Sequence, residues 1–402
     1  MTKSQGPAEL PYRWVIVTAA ALLLGIAMGT LVNGLSVFLV PLEAHFNWER
    51  ADVSGINSAG LIGIASGGII MGLLADRMVI RSVCLLGAVS LSLALLLAAR
   101  AETLWQFYGL FFLAGALGGG ALFAPVIASV GRWFQTGAGL AIGIASAGQA
   151  LGQGLVPYIA GYLIELSGWQ SAFTLLGVFA ALTLVPLSLM MRDPQQVVPV
   201  VTGASSEISA LPAWIVLPAL SIAVLGCCTG MAVPLMHLVP LIQGVCSVGA
   251  EAGGPLLLML VAAIAGRIFF GQLADIIGPI FAWVAATTWQ TFLVIGFVFL
   301  DTMQGFWLFA PLYGFGYGGV MTGVLVTVRE MTPASRRASA TGIVLAFGWL
   351  GHALGGWQGG VFFDLTGDYF WTYANAVLAG AINLGIVGMI LLAINRKAVS
   401  AP

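Results

Sequence analysis

Charge is what this chain has least of. Of its 402 residues only 7% are Asp, Glu, Lys or Arg and three are histidine, against 60% hydrophobic. A water-soluble surface needs roughly a quarter to a third charged residues, so a soluble globular fold is excluded. No basic stripe is available to follow a phosphate backbone, and no nucleic-acid partner is expected. Polar sequence is equally scarce. Only 192–211 is extended, polar and Pro/Gly/Ser-bearing, leaving no soluble domain in which a nucleotide could be hydrolysed. The four cysteines, Cys84, Cys227, Cys228 and Cys246, fall in or beside apolar runs without metal-ligand spacing, so neither a disulfide frame nor a metal is expected and buried packing is their predicted role. Glycine is plentiful, at 54 residues, but its runs lie within apolar sequence and no lysine follows with phosphate-loop spacing. With no nucleophile triad either, the sequence predicts neither an enzyme nor a cofactor.

What fills the chain is apolar sequence. Twelve runs, near 14–40, 53–75, 82–99, 105–131, 138–164, 170–191, 213–241, 253–274, 279–300, 306–328, 338–361 and 371–394, each approach the roughly 20 residues that cross a bilayer as helix. The first is too long and too continuous with the rest for a cleaved signal peptide and is read as a retained span. With the amino terminus inside, inner segments hold Lys3, Arg13, Arg77, Arg81, Arg132, Arg192, Arg329, Arg336, Arg337, Arg396 and Lys397, while outer loops hold Arg50 and Arg100. That asymmetry predicts a multi-pass inner (plasma) membrane protein with both termini cytoplasmic. The outer loops are acidic instead, with Glu43, Asp52, Glu251, Asp364 and others. The net charge of −1 therefore carries no information about partners, because opposite faces cancel.

The polar connection divides the chain into 1–191, a linker 192–212, and 213–402, with six spans on either side. After the second span stands Gly72-Leu-Leu-Ala-Asp76-Arg77-Met-Val-Ile-Arg81, and after the eighth Gly271-Gln-Leu-Ala-Asp275-Ile-Ile-Gly278. The two glycines and the two aspartates hold the same offset, as a parallel internal repeat requires. This G-x-x-x-D-R-x-x-x-R loop and its degenerate copy resemble the signature loop of the major facilitator superfamily. The resemblance spans the whole chain and implies an all-α membrane protein of twelve helices in two pseudo-symmetric six-helix halves, with alternating access by rocking of those halves. Asp76, Arg77, Arg81 and Asp275 are then gating residues of an inner charge cluster, weighted to the first half because the second copy lacks the arginines.

A narrower resemblance rests on Gly131-Arg132-Trp133-Phe134 leading into Gly139-Leu-Ala-Ile-Gly143-Ile-Ala-Ser-Ala-Gly148, and on Gly266-Arg267 ahead of Gly271 and Asp275. These are similar to the monocarboxylate transporters and the bacterial oxalate/formate exchangers, in which an eighth-span arginine is the carboxylate ligand. Arg267 matches that position. Eight residues before Asp275, it stands about 12 Å of helix rise from the loop, inside the apolar stretch Gly253–Ala274. A cation that cannot shed its proton costs roughly 2.5–3.5 kcal/mol there, and a planar guanidinium can grip a carboxylate with two parallel bonds. A structural arginine bonded to helix carbonyls is the competing reading. The oxalate exchangers carry a second cation where this chain has Gly348, and the animal monocarboxylate transporters a first-span lysine where it has Asn33. One intramembrane arginine without a lysine favours a monoanion.

Around that anchor the sequence offers His237, between Pro234 and Pro240; His352, one turn beyond Gly348; Asn33; Gln149 and Gln153, four apart on one helix face; and the aromatics Phe123 and Tyr317, which the resemblance aligns with site aromatics. Tyr313, Trp349 and Trp357 are weaker aromatic candidates, and interhelical packing is the alternative for each. The expected function is secondary transport of a small organic monocarboxylate, such as lactate, by proton symport. Anion exchange, or drug or metabolite efflux on the same fold, is the alternative. The expected partners are the carboxylate, a proton or counter-anion and the lipid bilayer, with the protein acting as a monomer.

Overall fold

The structure is a computed structural model and describes residues 9–75, 77–134, 138–193, 213–332 and 337–400. Every regular element among them is helical, as hydrocarbon demands: with no water to receive a backbone N–H or C=O, each helix closes its own hydrogen bonds. Large apolar side chains such as Phe292, Leu182, Ile268 and Leu308 stand exposed, a surface suited to lipid rather than water. Ten stretches are long and apolar enough to cross a membrane. One of them, Ala141–Met190, is 50 residues long and is broken at Gly168, whose φ of 79° and ψ of 165° are non-helical. Counting both of its arms, and adding the glycine-rich helix Arg337–Thr366, the described residues supply twelve spans.

The chain falls into two compact units. The first takes residues 1–35 and 62–200. It holds α1 (Glu9–Met28), which passes into a π-helical turn at Gly29–Asn33, and later α4 (Ile80–Ala98), α5 (Leu104–Leu113), α6 (Gly120–Leu122), α7 (Ala124–Arg132) and α8 (Ala138–Met190). α5 begins in a capping box, in which Thr103 Oγ1 accepts the Gln106 N–H and the Gln106 side chain accepts the Thr103 N–H. α1 and α8 meet backbone to backbone, since a Cβ on Gly152 would fall on the backbone of Gly25. Small residues are what allow helices to approach this closely in lipid.

The second unit takes residues 36–61 and 201–402. It holds α2 (Leu39–Phe46), the start of α3 (Arg50–Ala75), and α9 (Ala213–Cys246), α10 (Gly253–Ile277), α11 (Pro279–Val294), α12 (Met303–Met331), α13 (Arg337–Thr366) and α14 (Phe370–Ser400). Sequence division puts 36–61 in the first half, whereas by contacts this segment goes with the second. Most of the linker, from 194 onward, lies outside the described residues.

The internal repeat is written into the backbone. Thr302 caps α12 by accepting the Gly305 N–H, and it stands at the same offset from Thr103 as Gly271 does from Gly72. That offset also carries Gly168 to Gly367, the break after α13, and both have positive φ, at 79° and 77°, a region open to glycine at little cost. It carries Gly152 to Gly351 as well, where a Cβ would fall on the Leu225 carbonyl of α9.

Candidate functional site

In the second unit the site is built on the crossing of α10 and α12. A Cβ on Gly314 would strike the backbone of Met259, one on Gly318 that of Ala263, and one on Gly266 that of Phe315. The two helices therefore run at backbone contact over the turns that carry Arg267 and Tyr317. Arg267 is half-buried, Tyr317 is buried, and the guanidinium and the phenol are electrostatic neighbours. One turn along α12, the Tyr313 ring lies stacked on Tyr317, with centroids 6.5 Å apart.

Opposite them on α9 and α13 are Cys228 and His352. His352 Nδ1 is 3.0 Å from the Gly348 carbonyl; a carbonyl only accepts, so that nitrogen carries the proton. The Cys228 thiol bonds to the same ring and is an electrostatic neighbour of Tyr317. Trp349 packs 5.6 Å from the imidazole. Gly348 lies against Val224 and Cys228, at 3.4 and 3.5 Å from the place of a Cβ. The position where the oxalate exchangers carry a cation is thus filled here by helix packing. Cys228, read from sequence as packing, belongs to this polar group. Its signal was a cysteine pair among apolar residues, which alone does not separate the two roles.

His237 is placed elsewhere. Fully buried, it donates from Nε2 to the Gly356 carbonyl at 2.7 Å and packs 5.5 Å from the Tyr369 ring, towards the acidic end of the unit. The structure thus unites Arg267 with Tyr317, and His352 with Cys228, while His237 joins the residues around Arg50. Trp357 and Glu251 are exposed.

In the first unit Asn33 closes the π-helical turn of α1 and is buried; Gln149 and Gln153 are buried on α8. The Gly25–Gly152 and Gly29–Gly152 approaches bring their two helices together over these turns. Gln153 Oε1 has no hydrogen-bond partner among the described residues. Phe123, half-buried, interrupts the fourth span with φ −103° and ψ −83°. Pro125 follows in the first turn of α7, where its missing N–H does no harm.

At the basic end Asp76 lies outside the described residues. Arg77 and Asp275 are exposed and Arg81 is half-buried; among the described residues none of the three forms a salt bridge. The ion pair found there is Arg132 to Asp193, at 3.1 Å. Asp193 also accepts the Ile80 N–H at 3.0 Å at the start of α4, where an anion meets the positive end of a helix. Sequence reading passed over Asp193, whose helix-start partner Ile80 lies 113 residues away. All four cysteines are free, and the described residues hold no group of three His, Cys, Asp or Glu that could bind a metal.

Comparison with known proteins agrees with this architecture. Mouse monocarboxylate transporter 11 is 28% identical over 408 residues, covering 94% of this chain and 88% of its own. Bovine monocarboxylate transporter 13 is 26% identical over 402 residues, covering 98% and 92%. Among solved structures, a bacterial homologue of the human lysosomal transporter Spinster, in an inward-facing and occupied conformation, superposes with a TM-score of 0.71 at 16% identity, covering 98% of each chain. At that identity it speaks for the fold alone. The profile of the Major Facilitator Superfamily matches residues 21–356, and with the twelve-span repeat already described, the chain belongs to that superfamily.

Proposed function

We propose that this protein is a secondary transporter of a small organic monocarboxylate, with Arg267 receiving the carboxylate and Tyr317 orienting it. The observation that carries the reading is the pairing itself: a permanent cation on a span without acidic residues, held beside a buried phenol by the close α10–α12 crossing. Guanidinium and carboxylate match as two parallel hydrogen bonds, and the phenol supplies a further donor. The similarity to two monocarboxylate transporters over nearly the whole chain supports the same class.

Coupling follows from charge. With both termini cytoplasmic, as the basic inner segments favour, a monoanion entering a negative-inside cell climbs about 2.3 kcal/mol per 100 mV. A proton carried with it removes that penalty, so proton symport is the coupling we assign, in a protein acting as a monomer in the plasma membrane. The test is uptake of labelled monocarboxylates into proteoliposomes under an inward proton gradient. Gradient-driven accumulation by the wild-type protein and its loss in Arg267→Gln are expected. Equal uptake by both would overturn the role of Arg267, and uptake indifferent to the gradient would overturn proton symport.

A further inference from the structure

Four arginines of the first unit stand directly beside the end of an apolar run: Arg13 before 14–40, Arg81 before 82–99, Arg132 after 105–131 and Arg192 after 170–191. Four permanent cations are thereby set at one depth, where hydrocarbon gives way to headgroups. The fold then gathers them. Asp193 accepts the Ile80 N–H at 3.0 Å and pairs with Arg132 at 3.1 Å, which ties the start of α4 and the end of α7 to the end of α8. Trp133 Nε1 donates to the Arg192 carbonyl at 3.0 Å, and the Tyr12 hydroxyl donates to the Met190 carbonyl at 2.7 Å, which brings α1 to the same place.

The four are not used alike. Arg132 has its acid, whereas among the described residues neither Arg13 nor Arg192 forms an ion pair, and Arg13 Nε is buried with no hydrogen-bond partner among them. Aromatic rings hold these two instead. The Arg13 guanidinium carbon lies 5.0 Å from the centre of the Phe134 ring and 6.0 Å from that of Trp14; that of Arg192 lies 4.6 Å from the Tyr12 ring. Tyr12 packs on Trp133 at 5.8 Å and Trp14 meets Phe134 edge-on at 5.4 Å, so a platform of four rings carries both cations. Stacking engages the face of a guanidinium and leaves the N–H donors at its edge. Such an edge matches two oxygens of a phosphate.

The surface leading to Arg192 is apolar. Phe179, Leu182, Pro186 and Leu189, three or four residues apart and so on one side of α8, are all exposed, and Arg192 stands where that stripe ends. We propose that the basic end of the first unit binds one anionic phospholipid, with Arg192 and Arg13 taking the headgroup phosphate and an acyl chain lying along the stripe from Leu189 towards Phe179. Basic pockets between membrane helices on the cytoplasmic side are where such headgroups are held, and that is the side the basic segments take. A soluble phosphate would satisfy the guanidinium edges but not the stripe. The site is independent of whatever the transporter carries.

Native mass spectrometry of the purified protein in neutral detergent, titrated with dioctanoyl phosphatidylglycerol, tests this. A single saturable adduct is expected, about ten-fold tighter than with zwitterionic dioctanoyl phosphatidylcholine. Arg13→Gln and Arg192→Gln should each weaken it by about ten-fold, as loss of a charge-assisted bond does, and Leu189→Asn by about three-fold. Arg192 is exposed, so Arg192→Gln is expected to fold even where Arg13→Gln does not. Arg77→Gln removes the same charge from an exposed residue at the same end and should leave the adduct unchanged, and inorganic phosphate should not displace the lipid. Unaltered binding in Arg192→Gln, equal binding of the two lipids, or equal weakening in Arg77→Gln would overturn the site. Displacement by inorganic phosphate, with Leu189→Asn unaltered, would assign the cations to a soluble anion and overturn the lipid.

Discussion

The rings of Tyr313 and Tyr317 lie stacked one helical turn apart on α12, centroids 6.5 Å from each other, and join two otherwise separate places. Tyr317 is the electrostatic neighbour of Arg267. Tyr313 packs 5.3 Å from Phe297, which packs 6.0 Å from Tyr373, which lies 6.4 Å from Tyr369, the partner of Arg50. An aromatic column thus runs from the proposed carboxylate anchor to the residues around Arg50 within one unit. Continuity of packing is not coupling, but it names the residues through which coupling can be tested.

Removing the Tyr317 hydroxyl while keeping its ring, as Tyr317→Phe, should weaken carboxylate binding by about 1 kcal/mol, the worth of one net hydrogen bond, or roughly five-fold in Kd. Stability should hardly change. Isothermal titration of the purified variant reads the first and its thermal midpoint the second. Unaltered affinity would take Tyr317 out of the site.

Tyr373 belongs to the column by its ring. Its hydroxyl has no hydrogen-bond partner among the described residues, so Tyr373→Phe should shift stability by less than about 1 kcal/mol. Tyr373→Ala, which empties a fully buried ring site, should cost about 3–5 kcal/mol. Comparable losses in both variants, measured by thermal unfolding in detergent, would show that the hydroxyl and not the ring holds the column.

The helix crossings make an opposed pair of predictions for glycine. Gly152→Ala puts a methyl group on the backbone of Gly25 and should destabilise by about 1–3 kcal/mol, as overpacking does. Gly143, on the same helix, has nothing within 4 Å of the place of its Cβ, and Gly143→Ala should stabilise by up to about 1 kcal/mol through helix propensity. Thermal midpoints moving in the same direction would contradict the α1–α8 packing.

At the basic end, Asp193→Ala removes both the Arg132 pair and the cap on Ile80. The pair is about one-third exposed, so most of the expected loss of about 1 kcal/mol belongs to the cap. That loss should persist at high salt. A difference between wild type and variant that vanishes with salt would assign it to the ion pair instead.

How much of this was legible in the chain depended on whether a residue's partner was near in sequence. Arg267 stood out because a cation in an apolar span has to be explained, and the repeat was visible at Gly72 and Gly271 because the ends of α3 and α10 share one glycine and aspartate frame. The twelve spans could be read because length and hydrophobicity fix them. Arg50 could not be read: a charge between outer acids looks solvated, and Asp364 and Tyr369 are more than 300 residues away. His237 was visible as a candidate, but only the fold places it beside Gly356 and Tyr369. The break at Phe123 and the π-helical turn at Gly29–Asn33 leave the apolar pattern unaltered, so periodicity does not register them.

The central claim is that Arg267 is the carboxylate ligand, and a thermal-shift panel tests it most directly: purified wild type and Arg267→Ala against monocarboxylates, dicarboxylates and lipophilic cations. A ligand that binds the native state must raise its stability, by about 2.7 kcal/mol at one hundred times Kd. The account predicts that one group of monocarboxylates stabilises the wild type and that the shift disappears in Arg267→Ala. Stabilisation by cations alone, equal in the two proteins, would contradict it and leave Arg267 as part of the scaffold.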